Sequence, residues 1–218
     1  MQPDRPIIFS APMVKALLAG TKTQTRRLAW RWVKDRAERH LGNDDADGCH
    51  QPTPWQRVQP GDRLWVRENW QFAPQRYCSC PQGAEPAPCD DWQDGTGCQS
   101  NRGGVVYAAD DVKAARWRPS IHMPRWASRI TLHVEAVRVQ QLQDISEEDA
   151  RQEGVTPAIE PPTAAALMTA VGRGAVFMPH RSAFANLWNS LHGLDAWAEN
   201  PWVVALTFRV TKGNIDAA

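Results

Sequence analysis

Two stretches of period-two alternation, residues 129–139 and 202–210, constrain this chain more than anything else in it. In the second, Trp202, Val204, Leu206, Phe208 and Val210 fall on one face without a break. In the first, Ile130, Leu132 and Val134 share a face, after which the phase moves to Val137 and Val139. Alternation of this kind marks a strand buried on one side, and a change of phase predicts a bulge or sharp bend. Shorter strands are expected at residues 6–9, at 63–70 with Leu64, Val66, Glu68 and Trp70 on one face, and at 105–107. Strands outnumber helices and most connections are long. The expected fold is therefore α+β with a curled or closed sheet, not a doubly wound one.

Helices are fewer and short. Ser10 and Pro12 open one that carries Val14, Leu17 and Leu18 and stops at Gly20. Ser146 opens another, with Glu147, Glu148 and Asp149 at its positive end and Gly154 as its stop. Ser182 is expected to cap a third, amphipathic through Phe184, Leu187, Trp188 and Leu191. Stretches at about 30–60, 71–104 and 155–180 read as insertions into a single domain spanning 1–218.

The net charge of +1 excludes nucleic-acid binding by bulk charge, so any such binding must come from local patches. No apolar run reaches membrane-spanning length and the first ten residues lack a signal pattern; a cytoplasmic protein with no membrane partner is expected. Of five cysteines, Cys78, Cys80, Cys89 and Cys98 crowd one Pro- and Gly-rich segment. Four thiolates there could hold a structural zinc, although Cys-x-Cys replaces the usual Cys-x-x-Cys; free thiols or a disulfide are the alternative.

After Gly20 comes a polar, basic run, Thr21-Lys22-Thr23-Gln24-Thr25-Arg26-Arg27. With the Pro60-Gly61-Asp62-Arg63-Leu64 turn, the acidic helix ending at Glu153-Gly154 and the terminal strand, this run resembles the signature of ASCH domains. The segments Arg67-Glu68-Asn69-Trp70 and 117–126 are similar to those of phage and prophage members. The resemblance covers most of the chain outside the insertions. It implies a PUA-like small β-barrel with flanking helices and long loop insertions, no cofactor for catalysis, and a modified nucleoside or nucleic acid, RNA rather than DNA, as partner.

One branch of that family removes the acetyl group from N4-acetylcytidine with a Lys, a Thr and a Glu. By motif position these match Lys22, Thr25 and Glu153. The chemistry is consistent: amide hydrolysis needs a nucleophile, a base and a stabilised oxyanion. Thr25 would supply the hydroxyl, Lys22 the base if burial lowers its pKa, and Glu153 a supporting acid or base. Arg26 and Arg27 would contribute to substrate binding. Glu68 would line the cavity or hold an arginine. The basic-aromatic segment with Arg118, His122, Arg125 and Trp126 would grip phosphate or stack on bases. A non-catalytic RNA- or DNA-binding module and a ribonuclease are the rival expectations.

Overall fold

The computed structural model describes residues 4–32, 50–73, 104–112, 116–157 and 179–217. Nine strands are described: β1 Arg5–Ile8, β2 Gln24–Leu28, β3 Trp30–Trp32, β4 His50–Pro52, β5 Arg63–Arg67, β6 Trp70–Ala73, β7 Gly104–Tyr107, β8 Ile130–Gln141 and β9 Trp202–Lys212. The helices are α1 Ala11–Leu18, α2 Glu147–Gln152 and α3 Pro179–His192. Five strands form one sheet in the order β1-β5-β8-β9-β2; β1 and β5 are parallel, and every other neighbouring pair is antiparallel. The fold is α+β, and this sheet curls into a half-barrel. The long β8–β9 pair forms its spine, with a register shift between Val134 and Ala136 that is the bend expected from the change of phase.

Alternation decides which side chains meet. Val204, Leu206 and Phe208 of β9 join Ile7, Leu64, Val66, Ile130, Leu132 and Val134 on the inner face, where Val14 and Leu17 of α1 fill the concavity. Each fully buried Leu or Ile of this kind contributes about 1.5–3 kcal/mol. Val203, on the other face of β9, packs with Ala150 of α2 and with Phe184 and Trp188 of α3. So α1 covers the inner face and the α2–α3 pair covers the outer one.

The two outermost strands of the order, β1 and β2, approach each other. Arg27 of β2 donates to the Ile8 carbonyl of β1 at 2.7 Å, across the seam of the half-barrel. The free edge of β2 is covered by the end of α2, where Thr23 N–H donates to the Gln152 carbonyl at 2.9 Å and Lys22 bridges Glu153. An unpaired strand edge invites association with other chains, and α2 removes that opportunity.

Two elements differ from expectation. The strand expected over residues 63–70 is two strands. Pairing stops at Arg67, Glu68 turns to Arg129, and Trp70 begins the separate β6–β7 hairpin. The third helix starts before Ser182, which lies inside it. Its first turn is held instead by the Glu147 carboxylate of α2, which accepts from the His180 and Arg181 backbone N–H groups at 2.7 and 3.0 Å. Among the described residues no helix is long and apolar enough to cross a membrane. Residues 33–49, 74–103 and 158–178, which hold much of the three expected insertions, lie outside the described residues.

Candidate functional site

Lys22 owes its position to the end of α1. Gly20 takes φ +74, and the Thr21 and Gly20 N–H groups donate back to the Ala16 and Leu17 carbonyls at 3.0 and 3.1 Å. This paired closure turns the chain sharply, and the left-handed backbone it requires suits glycine. Glu153 arrives by the same device. It caps α2, and Gly154 follows at φ +77 with its N–H on the Arg151 carbonyl. The two helix ends therefore meet at the free edge of β2. A Cβ on Gly154 would lie 2.8 Å from the Lys22 Cβ and 3.0 Å from the Ala16 Cβ, so only a glycine lets the backbones come this close.

The Lys22 ammonium donates to the Glu153 side chain (Oε2) and to the Glu153 carbonyl, each at 2.8 Å. Lys22 is 0% exposed and Glu153 3%. The other carboxylate oxygen, Oε1, accepts from Arg26 at 3.0 Å. Arg26 also pairs with Asp149 at 3.2 Å, and Arg138 reaches the same Asp149 oxygen at 2.9 Å. Gln24 completes the cluster by donating to Asp149 at 3.1 Å. A carboxylate at the negative end of a helix is unfavourable unless cations face it, and here two do.

Burial pushes the Lys22 pKa down. The Glu153 charge and hydrogen bond oppose that shift, and Arg27 and Arg26 add to it; the net direction is downward. Asp149 moves the other way from simple burial. Burial raises it, but hydrogen bonds from Gln24 and Arg138 and the charges of Arg138 and Arg26 hold it below the usual carboxylate range.

Thr25 is 2% exposed and stands opposite Leu206, which places it on the inner face of the sheet. Arg27, opposite Val204, shares that face, and its guanidinium lies 5.0 Å from the Phe9 ring centre and 5.8 Å from that of Trp55. The Lys22 ammonium is 5.6 Å from the same Phe9 ring. Lys22 and Arg27 thus border one apolar region around Phe9 at the seam, with Glu153 beside Lys22, while Thr25 shares the sheet face of Arg27. Gln24 and Arg26 point to the opposite, helix-covered face.

The remaining expected residues divide differently. Arg26 is enclosed by Glu153, Asp149 and the Phe184 ring, which makes it a structural cation and not a free grip for phosphate. Glu68 holds Arg129 through two contacts of 2.9 and 3.1 Å, and burial raises its pKa against the Arg129 charge. Arg125 ties together the two ends of the chain, with Asp4 and Asp216 each at 2.5 Å, so its charge is already matched. Arg118 lies over Trp70 at 5.2 Å, and Trp126 meets that ring edge-on at 6.3 Å. Trp126 is 62% exposed and His122 is exposed on its 3-10 turn. Among these four, Arg118, His122 and Trp126 remain outward-facing.

Sequence reasoning passed over Phe9, Gln24 and Asp149. Asp149 was legible only as a helix-dipole residue, and nothing local marks Phe9 as a neighbour of Lys22. The four clustered cysteines lie outside the described residues, and so does the zinc reading that rests on them. Among the described residues no group of His, Cys, Asp or Glu has the spacing of a metal site. Comparisons with protein-family models, with curated proteins and with solved structures return no match.

Proposed function

We propose that this chain is a PUA-like, ASCH-type domain that hydrolyses the amide of an N4-acetylated cytosine nucleoside or a closely related modified base. The observation that carries the reading is the buried Lys22–Glu153 pair, joined at 2.8 Å. Burying two charges costs several kcal/mol that mutual attraction only partly offsets, and functional sites are where such arrangements concentrate. Thr25 stands on the strand that follows Lys22, on the inner face it shares with Arg27.

In this reading Lys22 reacts as the neutral amine, a form favoured by the downward shift of its pKa. It takes the proton of the Thr25 hydroxyl as the oxygen attacks the acetyl carbon. Arg27 and the ammonium formed on Lys22 stabilise the developing oxyanion. Collapse breaks the C–N bond, and Lys22 returns the proton to the leaving exocyclic nitrogen. Water, deprotonated by the same amine, then attacks the acetyl ester; the C–O bond to Thr25 breaks as Lys22 returns that proton to the Thr25 oxygen, and acetic acid leaves and ionises in solvent. Glu153 positions the amine through Oε2 and its own carbonyl, and stabilises the charge Lys22 acquires in each half-reaction.

The test is direct. The chain is incubated with N4-acetylcytidine and cytidine is followed by chromatography, alongside Lys22→Met and Thr25→Val, each checked for folding by circular dichroism. Release by the parent chain and its loss in both variants are expected. No release, or undiminished release from Lys22→Met, refutes the proposal. A second reading, an RNA-binding module, is favoured by the exposed Trp126 beside Arg118. It predicts a salt-dependent gel shift that Trp126→Ala weakens.

A further inference from the structure

Lys22, Thr25 and Glu153 are nearly sealed from solvent, so a substrate must reach them through a void that adjoins one of them. A cleft of about 550 Å³ does so. It lies between α1 and α3, and Glu153, Gly154 and Val155 after α2 also line it. Its volume falls within the roughly 300–1,000 Å³ typical of small-molecule sites.

The lining defines the occupant. Met13 and Ala16 of α1 and Ala183 and Leu187 of α3 present small or apolar walls suited to the face of a flat ring. Ser10, Thr21 and Thr156 add hydroxyls at the margins. The Thr21 hydroxyl donates to the Ala16 carbonyl at 3.2 Å and keeps its acceptor capacity for a ligand. Lys15 is the cation of the lining, and Asp111 holds it at 2.6 Å. A cleft with that charge already paired offers no phosphate clamp. It suits an uncharged heterocycle with hydrogen-bonding edges, and not a polyanion.

The Glu153–Gly154 turn lines the cleft and packs against the Lys22 Cβ. Gly154 has no side chain, and any Cβ would collide with Lys22. We infer that the cleft between α1 and α3 binds the uncharged nucleobase or nucleoside part of the substrate and brings it to Glu153, which lines the cleft and holds the Lys22 ammonium. The inference rests on the hydrolytic reading for what happens next, but the binding it describes does not need turnover. It places recognition at α1 and α3, away from the segment that carries Arg118 and Trp126.

The experiment is calorimetric titration of the full chain with cytidine and, separately, with cytidine 5′-monophosphate. The parent chain is compared with Ala183→Trp, which fills the cleft from α3, Ala19→Trp, which narrows it from the exposed end of α1, and Trp126→Ala. Thermal unfolding identifies which variants are folded. Cytidine is expected to bind more tightly than its monophosphate. Each folded cleft variant should weaken cytidine binding about tenfold or more, a difference of about 1.4 kcal/mol, and raise KM for N4-acetylcytidine with kcat within about twofold. Trp126→Ala tests the rival binding segment as the alternative site. Cytidine binding that is absent, that survives both cleft variants, or that falls in Trp126→Ala instead overturns the inference. Loss of binding in the cleft variants with no turnover by the parent chain supports the site and refutes only the hydrolase. Turnover indifferent to the cleft variants does the reverse.

Discussion

Replacing Glu153 with glutamine removes one charge while nearly preserving the side chain's shape. Both cations that face it are out of water, with Lys22 and Arg26 side chains at 0% exposure, so no solvent screening reduces the effect. Removing one partner of a buried ion pair costs about 3–5 kcal/mol, because the other charge is left uncompensated. Two features move this case to the lower end. Arg26 keeps Asp149 at 3.2 Å, and Lys22 keeps the main-chain carbonyl of residue 153 at 2.8 Å. A loss of about 3 kcal/mol is therefore expected, a large part of the 5–15 kcal/mol typical of a domain. Urea unfolding followed by tryptophan fluorescence measures it, with a midpoint about 1 M or more lower.

The same reasoning fixes a sign with pH. The Lys22 pKa is lowered by burial, and without the Glu153 charge it falls further. Between that depressed value and the ordinary lysine value the unfolded chain binds more protons than the folded one, so stability rises with pH across this window. The deficit of Glu153→Gln should shrink on going alkaline, as the neutral amine no longer needs a counter-charge. Lys22→Met combined with Glu153→Gln should recover much of the loss at neutral pH, since no lysine charge remains to be compensated. A deficit under about 1 kcal/mol, the scale of a solvent-exposed pair, would refute the claim that this pair is buried and coupled, as would a deficit that grows with pH.

The pH profile of kcat/KM for N4-acetylcytidine should rise along a limb whose apparent pKa lies below the ordinary lysine value, because burial favours the neutral base; stopped-time chromatography from pH 6 to 11 measures it, and a flat profile counts against Lys22 as base. Gly154→Ala combines a left-handed backbone at φ +77 with a contact of 2.8 Å to the Lys22 Cβ, and should cost about 2–4 kcal/mol in urea unfolding while disturbing activity. Glu68→Gln removes a charge that burial disfavours while Arg129 keeps Asp110 at 2.8 Å, so it should cost less than about 1 kcal/mol in urea unfolding at neutral pH. Glu68 is shifted upward, so its contribution falls as pH rises from the unfolded to the folded pKa, and the variant should lose that dependence.

Much of the frame was legible because it is local. The alternation through Trp202–Lys212, the helix stop at Gly20 and the Ser146 cap, which accepts from Asp149 N–H at 3.0 Å, each follow from a few adjacent residues. What was not legible depends on partners far along the chain. Glu68 reads as the continuation of a strand until Arg129, 61 residues on, draws it out of the ladder. Ser182 reads as a cap until Glu147 takes that duty from another helix. Arg26 and Arg125 read as free basic groups, because nothing beside them in sequence announces Glu153 or Asp216. The motif order brought Lys22 and Glu153 into one hypothesis, but Asp149, Gln24 and Phe9 enter only through the sheet and helix packing.

The position of the cluster follows from a conflict built into a half-barrel. An open curled sheet has two edges, and here they are β1 and β2. A complete ladder between them would bury the backbone and leave nothing reactive at the seam. Instead, the junction is made by side chains and helix ends: Arg27 to the Ile8 carbonyl, Lys22 and Thr23 to the last residues of α2, and Phe9 beneath both cations. Apolar residues could close such a seam at least as stably, since buried ion pairs are often matched or exceeded by well-packed hydrophobic replacements. Folding alone therefore does not require an amine, a carboxylate and two guanidinium groups packed into one edge. The proposed hydrolysis would draw on them, because groups held at 2.8–3.0 Å in a dry environment need no reorganisation when a reacting atom develops charge beside them.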